Sequence, residues 1–483
     1  MPESAIVSAV RAQAARVPER VAVASGEKAI GYAELERRAA TAASRVVEKS
    51  RGDIVGLLLP NTPDIVPTFL GGLWAGKTVA LLPSIAPPQL LKLMAAEAGL
   101  ATVLTNAELA PRLVEVGLAP LVVDAAEEAV APAVPVLPRA QEAAVLLYTS
   151  GTTGRPKAVA LSDQNILANI EGCCRGVGFS DSDVMLAVLP LFHAFGLTVT
   201  CLLPLTLGGK TVLLERFTPR GVLQAVEQHR VSCIVGVPSM YRLIAKETAA
   251  ADASSLRLCI AGAERLSDSL ASEFEARFEL KICQGYGATE ASPVIACNAP
   301  TAHRPGTVGR PLPNLRLTVR QDGQEQPPGQ PGEVCVAGPS VMLGYYNRPE
   351  ATAEKIVAGE LRTGDLGVLD SEGYLSVVGR ADDLIKVAGE KIYPAEVERV
   401  LEQIEGVEEA VVVGVPDEKH GAVLRAFVQS KPGVGLTEAG LRAVCRDRLE
   451  AIKIPRTFFF VEQLPRTTSG KADRRALAAR ADQ

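Results

Sequence analysis

Short, nearly continuous apolar runs mark the first part of the chain: IVGLLLP (54–60), TVALLP (78–83), AVLLYTS (144–150), KTVLLE (210–215), SCIVGVP (232–238) and LRLCIAGA (256–263). Stretches of helical character separate them. Apolar strands alternating with helices predict parallel sheets covered on both faces. From Leu315 onward the strands become shorter and more polar (LRLTV, GEVCVAG, GYLSVVG) between Gly/Pro turns, which predicts an antiparallel subdomain. A boundary falls near Arg380–Asp383. Beyond it Pro394 opens a helix with Glu396 and Glu398 in its first turn and Val397, Val400, Leu401 and Ile404 on one face. The strands AVVVGVP and VLRAFVQS, a helix capped by Thr437 and the strand TFFFVEQ follow.

The expected architecture is therefore α/β: a large N-terminal domain over 1–380, with parallel-sheet subdomains and a small β-rich one, and a small α+β C-terminal domain over 381–483. Two segments interrupt the pattern. Ala125–Ala143 is rich in Ala, Pro and Glu and reads as a surface excursion. Val184–Gly209 has no Asp, Glu, Lys or Arg, but Pro190, Pro204, His193 and its Gly and Thr content favour a buried strand, a loop and a buried helix over a membrane span.

Composition narrows the classes. With 483 residues the chain buries large cores without disulfides or structural metal. Lys plus Arg number 50 against 55 Asp plus Glu, a net charge of −5, which argues against a nucleic-acid binder with a general basic surface. The nine cysteines form no CxxC pair or disulfide framework, and four histidines (His193, His229, His303, His420) leave little for a multi-His metal centre. The N-terminal segment lacks the apolar core of a signal peptide. A cytoplasmic location is expected, with no transmembrane segment and no nucleic-acid partner.

Four segments carry candidate chemistry. Thr149-Ser150-Gly151-Thr152-Thr153-Gly154-Arg155-Pro156-Lys157 follows a buried strand. Its glycines allow tight turns, its hydroxyls and exposed N–H groups suit phosphate oxygens, and Lys157 supplies positive charge. The order G-x-x-G-x-x-K, without Ser or Thr after the lysine, departs from a Walker A loop and argues against that class of NTPase. Gln284-Gly285-Tyr286-Gly287-Ala288-Thr289-Glu290 offers a planar ring, small residues for close approach and a carboxylate suited to a divalent cation. In Leu361-Arg362-Thr363-Gly364-Asp365, the carboxylate of Asp365 suits two ribose hydroxyls. Pro465-Arg466-Thr467-Thr468-Ser469-Gly470-Lys471 is a polar loop ending on a lysine. Taken singly, the last three read equally well as ordinary turns or solvated charge.

In this order and spacing, the four segments resemble the adenylate-forming superfamily of acyl-CoA ligases, luciferases and peptide-synthetase adenylation domains. The resemblance runs from Tyr32-Ala33-Glu34-Leu35 to the Gly470–Lys471 loop. It implies ATP, Mg²⁺ and coenzyme A. Residues 149–157 would hold the β- and γ-phosphates, and Thr149 with Glu290 would place Mg²⁺. Gly262, Ala263 and Glu264 with Gly285, Tyr286, Gly287, Ala288 and Thr289 would line the adenine and α-phosphate, and Asp365 and Arg380 would hold the ribose. Asp382 matches the hinge of the small domain, and Lys471 the lysine that reaches the substrate carboxylate and α-phosphate. The Lys386–Lys391 loop, with Gly389, matches the face near the pantetheine tunnel.

The implied reaction is activation of a carboxylic acid to an acyl-AMP with release of pyrophosphate, then transfer to the thiol of CoA. Within Leu189-Pro190-Leu191-Phe192-His193-Ala194-Phe195-Gly196-Leu197, the resemblance puts His193 near the carboxylate. The residues alone allow a core histidine equally. The other wall candidates, Phe195, Val237, Met240, Ala288 and Val294, are apolar or small. The absence of acidic residues over 184–209 disfavours an α-amino acid. A medium- or long-chain fatty acid leads, with an aryl or arylpropenoic acid as the alternative, and a carrier-protein phosphopantetheine as an alternative acceptor. No obvious insertion of the fatty acyl-AMP ligase type interrupts 296–380. A luciferase-like oxygenase shares the first half-reaction. A non-catalytic acyl binder fits poorly, because Glu290, Asp365 and Lys471 are all present. The oligomeric state is left open.

Overall fold

In the computed structural model, the described residues are 3–481 apart from 124–134, 138, 140–141, 151–155, 382, 418, 432 and 467–471; the side chains of Ser150 and Lys391 are likewise not described. Two α/β layers form the body of the large domain. Among the described residues, one sheet has nine strands, and Val184–Ala187, Lys210–Leu213, Cys233–Gly236, Leu258–Ala261 and Ile282–Gly287 form its parallel centre. The second has seven strands around parallel Ile54–Leu57, Thr78–Leu81, Thr102–Thr105 and Val145–Ser150. Many of these short strands are buried at every position. That is the sequence's continuous apolar pattern expressed as sheets with both faces covered.

After Leu315 the chain builds an antiparallel sheet of Arg316–Gln321, Pro331–Ala337, Glu360–Leu369 and Leu375–Arg380, with two short edge strands. The smaller C-terminal domain pairs Val407–Asp417 with Gly421–Ser430 and adds Thr457–Val461 in parallel. Helices Pro394–Glu402, Glu438–Arg448 and Arg474–Ala481 pack on it, around apolar clusters drawn only from residues from Ile385 onward. Thr437 caps its helix through the Gly440 N–H, as the sequence predicts.

The Thr149–Lys157 segment joins two antiparallel strands: Val145–Ser150 pairs with Pro156–Leu161, and Thr149 lies directly opposite Lys157. The hairpin delivers Lys157 from a strand edge. The Ala125–Ala143 segment is not a plain surface excursion. Val136, Arg139 and Ala143 are buried and Arg139 is ion-paired with Asp163, while 124–134, 138 and 140–141 lie outside the described residues. The charge-free stretch is, as expected, a strand, a loop and a buried helical run, and begins with the strand Val184–Ala187. It then forms a π-helix, Phe195–Leu202, ahead of Leu203–Leu207. Widened turns of this kind are rare and collect at functional sites. Among the described residues, no helix is long and apolar enough to cross a membrane.

Candidate active site

Four parallel strands of the nine-stranded sheet end on one side, and the loops that leave their carboxyl ends enclose a cavity of about 1120 Å³. This is where open α/β sheets hold ligands. Leu258–Ala261 runs into Gly262, Ala263 and Glu264; Ile282–Gly287 runs into Ala288, Thr289 and Glu290; Cys233–Gly236 runs into Val237 and Met240; Val184–Ala187 leads to His193 and Phe195. Thr149, Lys157, Gly285, Tyr286, Gly287, Val294, Asp365 and Arg380 complete the set on the cavity wall. Segments far apart in sequence thus converge.

Local geometry explains the small residues. An added Cβ at Gly262 would lie 2.7 Å from Phe195 Cε1, so the aromatic ring approaches that backbone closely. At Gly287 an added Cβ would sit 2.2 Å from the Pro293 carbonyl oxygen, because the chain doubles back there. Ala263 adopts a left-handed φ of 68°, a strained state for a residue with a Cβ and one that collects at ligand-holding turns.

Side-chain hydrogen bonds tie the motifs together. Tyr286 Oη donates to Asp365 Oδ2 at 2.7 Å, and the Asp365 N–H donates to Thr363 Oγ1 at 3.0 Å. Arg380 lies opposite Asp365 on the neighbouring strand, with Nη1 3.6 Å from its carboxylate. Tyr345 Oη donates to Glu290 Oε1 at 2.7 Å, and Lys157 Nζ lies 5.1 Å from the centre of the same ring. Burial, then the neighbouring carboxylate, raises both phenols well above their ordinary range, so each stays a protonated donor.

His193 is solvent-exposed within the cavity mouth, its ring 4.5 Å from that of Phe192, which rules out the core-histidine reading. The cavity also reaches Cys173, Val177, Phe179, Val199 and Cys297, apolar positions that the motifs did not single out. Sequence reading also missed Asn169. Buried on the helix Asp163–Val177, it donates through Nδ2 to the carbonyls of Ala291 and Val294 and accepts the Val294 N–H, bracing the turn behind Glu290. A pair of asparagines, Asn165 and Asn169, on the buried face of that helix was the available signal.

Gly151, Thr152, Thr153, Gly154, Asp382 and Lys471 lie outside the described residues, and Ser150 is described in its backbone only. The residues that bracket the last loop meet the large domain: Arg466 Nη1 lies 3.9 Å from Glu264 Oε1, and Arg474 lines the cavity. Gly389 is exposed at φ 91° and is not among the cavity residues. Ion pairs hold the small domain here. Arg242 Nη1 is 3.2 Å from Glu409, Lys246 Nζ 2.7 Å from Glu408, and Arg265 Nη1 2.6 Å from Glu402.

No group of three or more His, Cys, Asp or Glu side chains suited to a metal occurs among the described residues. Magnesium does not need one: it is commonly bound by one or two carboxylates together with phosphates and waters. The Glu290 carboxylate and Thr149 hydroxyl, which line the same cavity, are oxygen donors of that kind.

The comparisons with known proteins agree with this geometry. The AMP-binding enzyme family matches residues 10–346, and the AMP-binding enzyme C-terminal domain matches 396–471. A feruloyl-CoA synthase from Amycolatopsis sp is 38% identical over 94% of each chain, and a long-chain-fatty-acid–CoA ligase from Bacillus subtilis is 31% identical over 99% of this chain and 94% of its own. The solved o-succinylbenzoate–CoA synthetase of Bacillus subtilis, in complex with its acyl-adenylate intermediate, superposes with a TM-score of 0.86 at 31% identity over 97% of each chain. Fold, cavity and motifs together place the chain in the AMP-binding enzyme family, as an AMP-forming acid–CoA ligase that works through an acyl-AMP.

Proposed function

We propose that the acid is an apolar monocarboxylic acid with no second charged group, with a medium- or long-chain fatty acid as the leading class, and that the enzyme works in the cytoplasm. The observation that carries this is the apolar end of the cavity. Cys173, Val177, Phe179, Val199, Val237 and Val294 line it and belong to one buried apolar cluster of the large domain. An α-ammonium or a second carboxylate set among these side chains would find no partner in them. An arylpropenoic acid is the second reading, supported by the feruloyl-CoA synthase relative and by the rings of Phe192, Phe195 and Tyr286 on the wall.

The residue roles form one scheme. The 149–157 segment binds the β- and γ-phosphates, Gly262–Glu264 and Gly285–Thr289 receive adenine and α-phosphate, and Asp365 and Arg380 hold the ribose. His193 lies beside the acid's carboxylate. A carboxylate oxygen attacks the α-phosphorus, the bond to the bridging oxygen breaks, and pyrophosphate leaves. Lys157 and Lys471 offset the charge that builds on the phosphoryl oxygens. Thr149 and Glu290 would hold Mg²⁺, which would supply further charge neutralisation when bound. The thiol of CoA, as thiolate, then adds to the acyl carbonyl and AMP departs.

The docked arrangement, in which Arg466 and Arg474 meet the cavity, belongs to the first step in this scheme. Rotation of 381–483 about Asp382 would bring Gly389 to the pantetheine for the second, making the small domain the bistable element. Comparing kcat/KM across straight-chain acids and arylpropenoic acids tests the substrate reading. A preference rising with chain length supports the fatty acid; a preference for the arylpropenoic series replaces it with the second reading. AMP release with a carrier protein but not with free CoA would reassign the acceptor.

A further inference from the structure

Tyr345 belongs to none of the motifs, yet it touches two of them. The short strand Gly344–Tyr345 pairs with Pro156–Leu161, the strand that carries Lys157, through Gly344↔Ala160 and Tyr345↔Val159. Just before it, the Met342 N–H donates to the Glu290 carbonyl at 2.8 Å and the Leu343 N–H to the Ala160 carbonyl at 3.0 Å. The segment is therefore stitched between the lysine strand and the glutamate turn. From this position the Tyr345 hydroxyl donates to Glu290 Oε1 at 2.7 Å, and the face of its ring receives Lys157 Nζ at 5.1 Å. The Tyr345 N–H donates to Thr352 Oγ1 at 2.9 Å, and the side chain is largely buried.

These contacts act on different chemistry. Donation to one carboxylate oxygen fixes the rotation of the Glu290 carboxylate and leaves its other oxygen for a cation. An ammonium within about 6 Å of an aromatic centre is held by the ring's negative face. The geometry points to Tyr345 as a positioning residue that sets the spacing between the cation-binding carboxylate and the phosphate-binding lysine. This rests on the reading of Glu290 as the Mg²⁺ ligand and Lys157 as a phosphate ligand.

The two contacts are separable by substitution. Tyr345→Phe keeps the ring and removes the donor; Tyr345→Leu removes both. ATP binding without acid is measured by calorimetry across a Mg²⁺ series and in chelator, with Glu290→Gln as reference and thermal melting alongside. For Tyr345→Phe, the Mg²⁺ concentration that half-saturates the gain in ATP affinity rises about tenfold, the scale of one hydrogen bond to a charged group, while metal-free ATP affinity holds within about twofold. Tyr345→Leu shows the same rise and also weakens metal-free binding several-fold, because Lys157 loses its platform. The proposal is overturned if Tyr345→Phe leaves the Mg²⁺ midpoint unchanged while Glu290→Gln moves it. It is equally overturned if both Tyr345 variants weaken ATP by one factor with and without metal, the result of a purely structural role. If Glu290→Gln itself leaves the midpoint unchanged, the placement of the cation fails and the proposal falls with it.

Discussion

The hydroxyl of Tyr286 donates to the Asp365 carboxylate at 2.7 Å, joining a strand end of the nine-stranded sheet to a strand of the antiparallel sheet 79 residues later. This contact brings two weak sequence signals, a GYG turn and a TGD turn, onto one wall of one cavity. It also leaves Asp365 Oδ1 facing Arg380 at 3.6 Å. Tyr286→Phe should raise the KM for ATP about tenfold with little change in kcat, the pattern of a lost binding contact shared by ground and transition states. Steady-state kinetics at saturating acid and CoA checks it; an unchanged KM would remove the carboxylate from ribose binding.

The contact between Gly262 and Phe195 makes a prediction about the acid. With an added Cβ only 2.7 Å from the ring, Gly262→Ala must push Phe195 into the acyl end of the cavity. Overpacking of this kind amounts to roughly 1–3 kcal/mol. The kcat/KM for long or aryl acids should fall about tenfold or more, and that for short acids much less. A uniform fall across chain lengths would separate Phe195 from the acyl pocket.

The charge network between the domains should favour one half-reaction. Arg242 lies between Glu408 and Glu409, 3.8 and 3.2 Å away. Arg242→Glu places three carboxylates together, and like-charge juxtaposition of this sort costs up to several kcal/mol. Acyl-AMP formation should drop about tenfold or more, while thioester formation from supplied acyl-AMP should hold within about twofold. Equal losses in both would show that the docked arrangement is not particular to adenylation.

The same interface gives a pH dependence. Burial raises the Glu402 carboxyl from its ordinary 4.5 to about 7, against the downward pull of Arg265 at 2.6 Å. A raised carboxyl pKa contributes stability that is present below about 4.5 and lost as pH climbs through about 7. Glu402→Gln mimics the protonated form. Its melting temperature should match the wild type near the lower value, rise above it across this window and hold a constant margin beyond. A margin that does not vary with pH would contradict the burial argument.

Much of the fold was legible because its strands are short and covered on both faces. Runs such as SCIVGVP and LRLCIAGA have few other homes, and the pairings of Cys233–Gly236 with Leu258–Ala261 follow. The cavity residues were legible as small and hydroxyl-bearing types at strand ends. What escaped depends on long-range approach. Nothing local marks Tyr345, whose partners are 55 and 188 residues away, or Asn169, which braces a turn more than a hundred residues later. The Thr149–Lys157 hairpin was hidden because a glycine-rich loop looks alike whichever element follows. The π-helix at Phe195–Leu202 has no distinct periodicity over so short a run; it shows only in backbone bonding such as that from the Leu203 N–H to the Thr198 carbonyl, five residues back.

The most direct test of the account is acid-dependent exchange of pyrophosphate into ATP across straight-chain fatty acids, aryl acids, dicarboxylic acids and amino acids, followed by AMP release with and without CoA. The account predicts exchange with apolar monocarboxylic acids, strongest with medium or long chains, and AMP release stimulated by CoA. Exchange confined to dicarboxylic or amino acids would contradict the reading of the apolar cavity residues as the acyl wall.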